Sequence, residues 1–175
     1  MTHELRRLAH VSDTQVQELA ALLIDCVEGG ASVSFMLPLT LQRAQAFWQS
    51  VAQGVHNGER ALLVAEDQRG AIVGTVQLVL DQPVNQPHRA DLAKMLVHRR
   101  ARRQGLAERL LRAAEGTARE CGKTLLVLDT VTGGDAERLY TRLGWQRVGS
   151  IPDYALWPQG GLCATTYFYR RVDTR

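Results

Sequence analysis

Cysteine is scarce in this chain: Cys26, Cys121 and Cys163 are the only three in 175 residues, and none forms a C-x-x-C pair. The five histidines, His3, His10, His56, His88 and His98, add no ligand-spaced cluster. A disulfide framework and a zinc site are both excluded as staples of the fold, and no metal is expected. Long apolar runs are also missing, since none approaches the roughly 18 residues of a membrane span. The opening Met-Thr-His-Glu-Leu-Arg-Arg-Leu lacks the apolar core of a signal peptide. The expectation is a reduced, cytoplasmic protein with no membrane partner. Charge of one sign is lacking too: 21 Lys and Arg against 18 Asp and Glu leave +3, too little to require nucleic acid. Repeats, low-complexity tracts and linkers are absent.

What remains is the composition of an ordinary soluble globular chain, 45% apolar and 22% charged. Its length argues for one domain over residues 1–175. A chain of this size buries on the order of 70% of its unfolded surface, enough for an unstapled core.

Hydrophobic periodicity divides the chain into alternating elements. Leu5–Leu8 reads as a short strand. Ser12 and Gln15 have capping-box spacing, and Val16, Leu19, Ala20, Leu23 and Val27 then recur at helical intervals up to Gly29-Gly30. Thr40 opens a second helix with Leu41, Ala44, Trp48, Val51 and Val55 on one face, ended at Asn57-Gly58. Ala61–Ala65 and Ile72–Leu80, joined by the polar turn Asp67-Gln68-Arg69-Gly70, predict an antiparallel hairpin. After a loop with Pro83 and Pro87, Arg89–Val97 is a strand, and Gly105 opens a long helix stopped at Gly122. Leu125–Leu128 is a continuous apolar run, the pattern of a strand buried on both faces. A short helix from Gly133-Gly134-Asp135 to Leu143 follows, then strands at Trp145–Val148 and Thr165–Val172 around a turn-rich segment. The order β-α-α-β-β-β-α-β-α-β-β describes one mixed α/β domain around a central sheet.

The segment between Val97 and Ala107 carries the chemistry. It leaves a strand, crosses a loop holding Arg99, Arg100, Arg102 and Arg103, and enters a helix at Gly105. A helix start exposes unpaired N–H groups and the positive end of the helix dipole, which together attract a phosphate. Gly105 and the small Ala107 leave room for close approach, and the arginines add attraction at long range. The bland alternative is a solvated basic loop before an ordinary helix. Gly122-Lys123-Thr124 mimics the end of a nucleotide-binding loop. However, Gly116 and Gly122 are one residue too far apart for G-x-x-x-x-G-K-[ST], and the segment follows a helix instead of a strand.

Arg102-x-x-Gly105-x-Ala107 matches the (Q/R)-x-x-G-x-(G/A) signature of the GNAT family of N-acetyltransferases. The preceding strand Lys94-Met95-Leu96-Val97 and the later Tyr140-x-x-Leu143-Gly144-Trp145 strengthen the likeness. The last segment resembles the family's Y-x-x-x-G-F element, with Trp in place of Phe. The resemblance spans nearly the whole chain. It implies a three-layer α/β fold with a central, mostly antiparallel, splayed sheet flanked by helices. It also implies acetyl-CoA as cosubstrate, held by Met95, Leu96, Val97, Arg102, Arg103, Gln104, Gly105, Leu106, Ala107 and Tyr140.

The implied reaction is direct attack of a primary amine on the acetyl thioester, through a tetrahedral oxyanion, with the thiol leaving. Backbone N–H groups near Leu96 would stabilise the oxyanion. Tyr140 stands where the family often places a tyrosine near the sulfur, as an acid for the thiolate. The alternative is a tyrosine simply packed under its helix. Asp91 and Asp129 fall on neighbouring strands and are expected to meet at one end of the cleft as a coupled acidic pair that attracts the amine and takes its proton. Strand-end or capping roles are the competing reading. Phe35, Met36, Trp48 and Trp157 are candidates for a pocket wall, with Trp48 fitting its helix's buried face. Cys26 and Cys121 have no base partner and are not read as nucleophiles. The resemblance thus points to acetylation of a small, amino-acid-like amine, by a monomer or a homodimer. Two alternatives stand: a non-catalytic acyl-CoA sensor, and a transferase acting on protein N-terminal or lysine amines.

Overall fold

The computed structural model describes residues 3–173. Strands β1 (Glu4–Leu8), β2 (Arg60–Glu66), β3 (Ile72–Val79), β4 (Arg89–Val97), β5 (Leu125–Val131), β6 (Gln146–Leu156) and β7 (Leu162–Arg171) form one sheet in the order β1-β2-β3-β4-β5-β7-β6. Every neighbouring pair is antiparallel except β4 and β5. Helices α1 (Asp13–Glu28), α2 (Leu41–His56), α3 (Leu106–Glu120) and α4 (Asp135–Arg142) complete the chain. The expected order of elements and the mixed α/β class are both found.

Local chemistry explains the helix starts. The Ser12 side chain accepts from the Gln15 amide while the Gln15 side chain accepts from the Ser12 amide, closing the capping box. Thr40 accepts from the Arg43 amide in the same way. Each helix then lays its apolar stripe on the sheet. Leu106, Leu110, Leu111 and Ala114 of α3 pack on Leu63, Val76, Leu78 and Leu92 from one face. Leu19, Leu23 and Trp48 of α1 and α2 pack on Leu62, Val64 and Leu96 from the other. The fit is close at Gly74, where a Cβ would meet Leu110 Cδ1 at 3.1 Å.

Two departures from expectation shape the molecule. Leu125–Leu128 is not buried on both faces: Leu126 and Leu128 are buried, but Leu125 and Val127 are only half-buried. The cover supplied by α1 and α2 reaches β1, β2, β3 and β4 and stops short of β5, so the same-side face of β5 stays open. The last two strands are longer than the apolar pattern predicts, running over Gln146–Leu156 and Leu162–Arg171. Gly149 and Pro152 sit beside register shifts in β6, which lies on the sheet edge, where proline is tolerated.

The site begins where the sheet splits. The parallel β4–β5 ladder holds only Arg89–Leu125, Ala90–Leu126 and Asp91–Val127. Beyond Asp91 the two strands diverge. Within β4 the register against β3 also jumps between Ala93 and Leu96, and Lys94 takes a φ of 50° in this bulge.

Candidate active site

The divergence of β4 from β5 opens a cleft of ≈ 800 Å³. Its floor is the β4 segment Leu92–Val97, one wall is the loop into α3, and the other is Asp129–Val131 with α4. The loop after the first helix, Gly29–Val33, and Trp157 close the far end.

The wall at α3 is held open by side chains of its own loop. Asp25 accepts from the Arg99 amide and the Arg99 Nε, both at 2.9 Å, and lies 3.5 Å from His98 Nδ1. Burial pushes the Asp25 carboxyl up, but Arg99 and His98 outweigh it and hold the group below its ordinary value. Arg100 pairs with Asp67 at 2.9 Å, and Arg102 Nε donates to the Val97 carbonyl at 3.1 Å. Three of the four arginines are thus committed to shaping the loop, and Arg103 has no side-chain partner among the described residues. The amides of Arg103 through Ala107 donate no hydrogen bond among the described residues. Gly105, with φ 72°, turns the chain into α3, and a Cβ there would project into open space.

Tyr140 comes from α4 and is 4% exposed, its ring tilted against Trp145 and Phe168 at 5.7 and 5.8 Å. It lines the cleft, and its hydroxyl makes no hydrogen bond among the described residues. Burial first, and the charge of Asp129 second, push its phenol well above the ordinary value. The group is therefore protonated throughout the physiological range.

The two aspartates do not form the expected pair. Asp129 lines the cleft, exposed, and accepts from Thr165 Oγ1 at 2.8 Å. Asp91 lies level with Val127, two residues short of Asp129 along β5, and is not part of the cleft wall. Its carboxylate is taken by the Arg89 guanidinium and by Gln82 Nε2 at 3.1 Å. The two do lie on neighbouring strands, as the sequence pattern implies, but that pattern could not show that Arg89 reaches its near neighbour.

Of the residues expected to hold the cosubstrate, Met95, Leu96, Val97, Arg102, Arg103, Gly105, Leu106, Ala107 and Tyr140 line the cleft. Gln104 does not; its side chain turns back to the Arg100 carbonyl at 3.4 Å. Trp157 lines the far end, whereas Phe35 stacks edge-on against Phe47 at 5.3 Å and Trp48 is fully buried in the core. Met36 is exposed. Cys26 reaches the cleft, but burial pushes its thiol up, and Sγ donates to the Val97 carbonyl at 3.5 Å. Lys123 of the false nucleotide-binding match is buried and donates to the Leu80 and Pro87 carbonyls at 2.8 Å.

Sequence reasoning missed Lys94 and the Gly29–Val33 loop as parts of the cleft. A signal for the first was present: Lys94 and Lys123 are the only lysines in a chain with 21 Lys and Arg. Among the described residues, no group of three or more His, Cys, Asp or Glu is placed to hold a metal, and no helix is long and apolar enough to cross a membrane.

The architecture is shared with known acetyltransferases. An N-acetyltransferase from Staphylococcus aureus Mu50 superposes with a TM-score of 0.80 at 15% identity, over 99% of this chain and 100% of its own. A phosphinothricin acetyltransferase from Sinorhizobium meliloti, solved in complex with AcCoA, gives 0.78 at 17% identity, over 98% and 89%. A ribosomal-protein-alanine N-acetyltransferase from Brucella melitensis gives 0.78 at 22% identity, over 96% and 99%. At such identities these likenesses establish the fold. The sequence pattern of the Acetyltransferase (GNAT) family itself matches residues 30–145, from the loop after α1 through β4, the glycine at the start of α3 and Tyr140 to Trp145. Seven splayed strands, four helices and that match together make this chain a member of the Acetyltransferase (GNAT) family.

Proposed function

We propose that residues 1–175 form one catalytic domain that transfers acetyl from acetyl-CoA directly to the primary amine of a small, amino-acid-like metabolite or toxin. The observation that carries this reading is the meeting, in one cleft, of a row of free amides at a helix start and a buried phenol without a partner. The residues fit the cosubstrate: the Arg103–Ala107 amides and Gly105's open approach suit a pyrophosphate, with unpaired Arg103 beside them. Bound there, acetyl-CoA supplies the thioester carbonyl carbon to be attacked and the thiol that leaves.

The chain's own residues do the rest. The Val97 carbonyl points away from β3, toward Arg102 and Cys26, and a strand residue's N–H points with its carbonyl. The Val97 amide therefore faces the cleft, where a fixed donor stabilises charge growing on a carbonyl oxygen. Tyr140 keeps its proton until a thiolate forms beside it. The burial that raises the phenol raises the proton affinity of a thiolate in the same place, so the two stay matched. Asp129 attracts the incoming ammonium and, through water, receives the proton the amine must lose.

The acceptor class is supported by a finer likeness to the tabtoxin resistance protein. It lies in Gly29-Gly30-Ala31-Ser32-Val33, Arg89-Ala90-Asp91, Leu125-Leu126-x-Leu128-Asp129-Thr130 and Arg147-Val148-Gly149. The phosphinothricin acetyltransferase among the structural relatives fits the same class. Incubation with acetyl-CoA, the common amino acids and a peptide with N-terminal alanine, read by mass spectrometry, tests the reading. Acetylated amino acids are expected. Acetylated peptide alone would assign a protein substrate instead, and no acetylated product would favour a sensor.

A further inference from the structure

We propose that Lys94, with Ser34, forms an anion-recognition site at the acceptor end of the cleft, so that the accepted amine carries a carboxylate or similar acidic group. This rests on the acceptor reading above and names the residue that would select the substrate. Lys94 is half-buried in the β4 bulge and lines the cleft. Its Nζ lies 3.3 Å from Ser34 Oγ and 5.6 Å from the centroid of the Phe47 ring. No carboxylate stands within ion-pair distance of it among the described residues, whereas ten arginines and a histidine there have such partners. A cation partly withdrawn from water with only a hydroxyl and a ring face for company is short of an anion.

The backbone shows that the placement is imposed. Lys94 and Ser34 are two of only four non-glycine residues at positive φ among the described residues, at 50° and 77°, and they face each other. Such conformations persist where the surrounding structure enforces them. An ammonium has three protons, and one goes to Ser34 Oγ; the Ser34 hydroxyl keeps its own proton to donate. Two donors thus converge for the two oxygens of a carboxylate. Burial lowers the Lys94 pKa while Asp129 raises it, which fits a cation set across the cleft from that carboxylate. An acceptor with both an ammonium and an acidic group would lie between Asp129 and Lys94, its charges matched at both ends. Arg60 on the same face is already bound to Gln77 at 2.8 Å, leaving Lys94 as the cation free for this role.

The test compares glycine, alanine, leucine, phenylalanine and glutamate with their primary amides as acceptors. The free acids are expected to exceed the amides in kcat/KM by on the order of 10²-fold, because a partly buried charge left unpaired is costly. Lys94→Met should collapse that ratio at least about tenfold, through the KM of the acid, with Lys94→Arg restoring part of it. Ser34→Ala should lower the ratio less and guards against a Lys94 variant that fails to fold. Equal rates on acids and amides in the native chain, or equal losses on both in Lys94→Met, would overturn the proposal. Should no small amine be acetylated, the acceptor reading falls and a binding arm still decides this one. The Cε signal of Lys94, one of two lysines in the chain, is followed as N-acetylalanine and N-acetylglutamate, then their amides, are added with acetyl-CoA present. A shift caused by the acids alone supports the site, and no shift with any acid overturns it.

Discussion

Replacing Tyr140 with Phe removes one oxygen atom and tests the leaving-group chemistry with little else changed. The hydroxyl makes no hydrogen bond among the described residues, so its loss strands no buried partner. The ring contacts with Trp145 and Phe168 are kept. Stability should therefore change by less than about 1 kcal/mol, read as a thermal midpoint close to that of the native chain. General acid assistance is worth about 10²–10⁴-fold, which corresponds to about 2.7–5.4 kcal/mol of barrier. The assay is single-turnover release of thiol from acetyl-CoA at saturating amine, which separates the chemical step from product release. The expected result is a fall of at least about 10²-fold with the Kd for acetyl-CoA unaltered. The pH dependence follows in sign. A phenol raised above its ordinary value of 10.0 stays protonated as pH rises to that value, so the native rate should show no alkaline loss from this group below it. A Tyr140→Phe rate within about twofold of native in single turnover would refute the argument and leave Tyr140 a packing residue.

Gly105→Asn should bind acetyl-CoA at least about tenfold more weakly, about 1.4 kcal/mol, while folding normally, since Asn tolerates the left-handed backbone and only its bulk intrudes on the amides. Gly105→Val adds backbone strain and should lose stability as well; native affinity by calorimetry in both variants would misplace the cradle. Asp129→Asn should lower kcat/KM for the amine with acetyl-CoA affinity intact, whereas Asp91→Asn should spare kcat/KM, because Arg89 and Gln82 already hold that carboxylate away from the cleft. Asp25 has a folded pKa below its unfolded value of about 4, so its stabilisation is present above that value and fades as pH falls through the folded one. Asp25→Asn should flatten this acid limb of the stability curve and weaken acetyl-CoA binding by loosening the Arg99 loop.

The elements were legible in the sequence because their signals are local. Ser12 and Gln15 cap one another across three residues, and the stripe of α3 repeats with the helical period. The cradle was legible for the same reason: a strand, an arginine loop and a glycine-led helix are consecutive in the chain. What resisted reading depends on contacts between distant segments. Whether Leu125–Leu128 is covered on both faces is decided by how far α1 and α2 extend, which no property of β5 encodes. The length of β6 was hidden by Pro152, which reads as a turn residue and lies instead within a register shift on an edge strand. Asp91 and Asp129 lie on neighbouring strands as the element order implies, but Arg89 claims the first. Lys94 enters the cleft only because β4 bulges where β3 shifts register, and Ser34 meets it from 60 residues away.

The central claim is that this cleft brings acetyl-CoA and an amine together for direct transfer. Thiol release and the masses of protein and products, followed together in one reaction, test it most directly. Negligible thiol is expected from acetyl-CoA and protein alone, and on adding the amino-acid acceptor, one thiol per acetylated amine with no acetyl group on the protein at any time. Thiol release that is independent of amine, or an acetylated protein formed and consumed on the way to product, would contradict it.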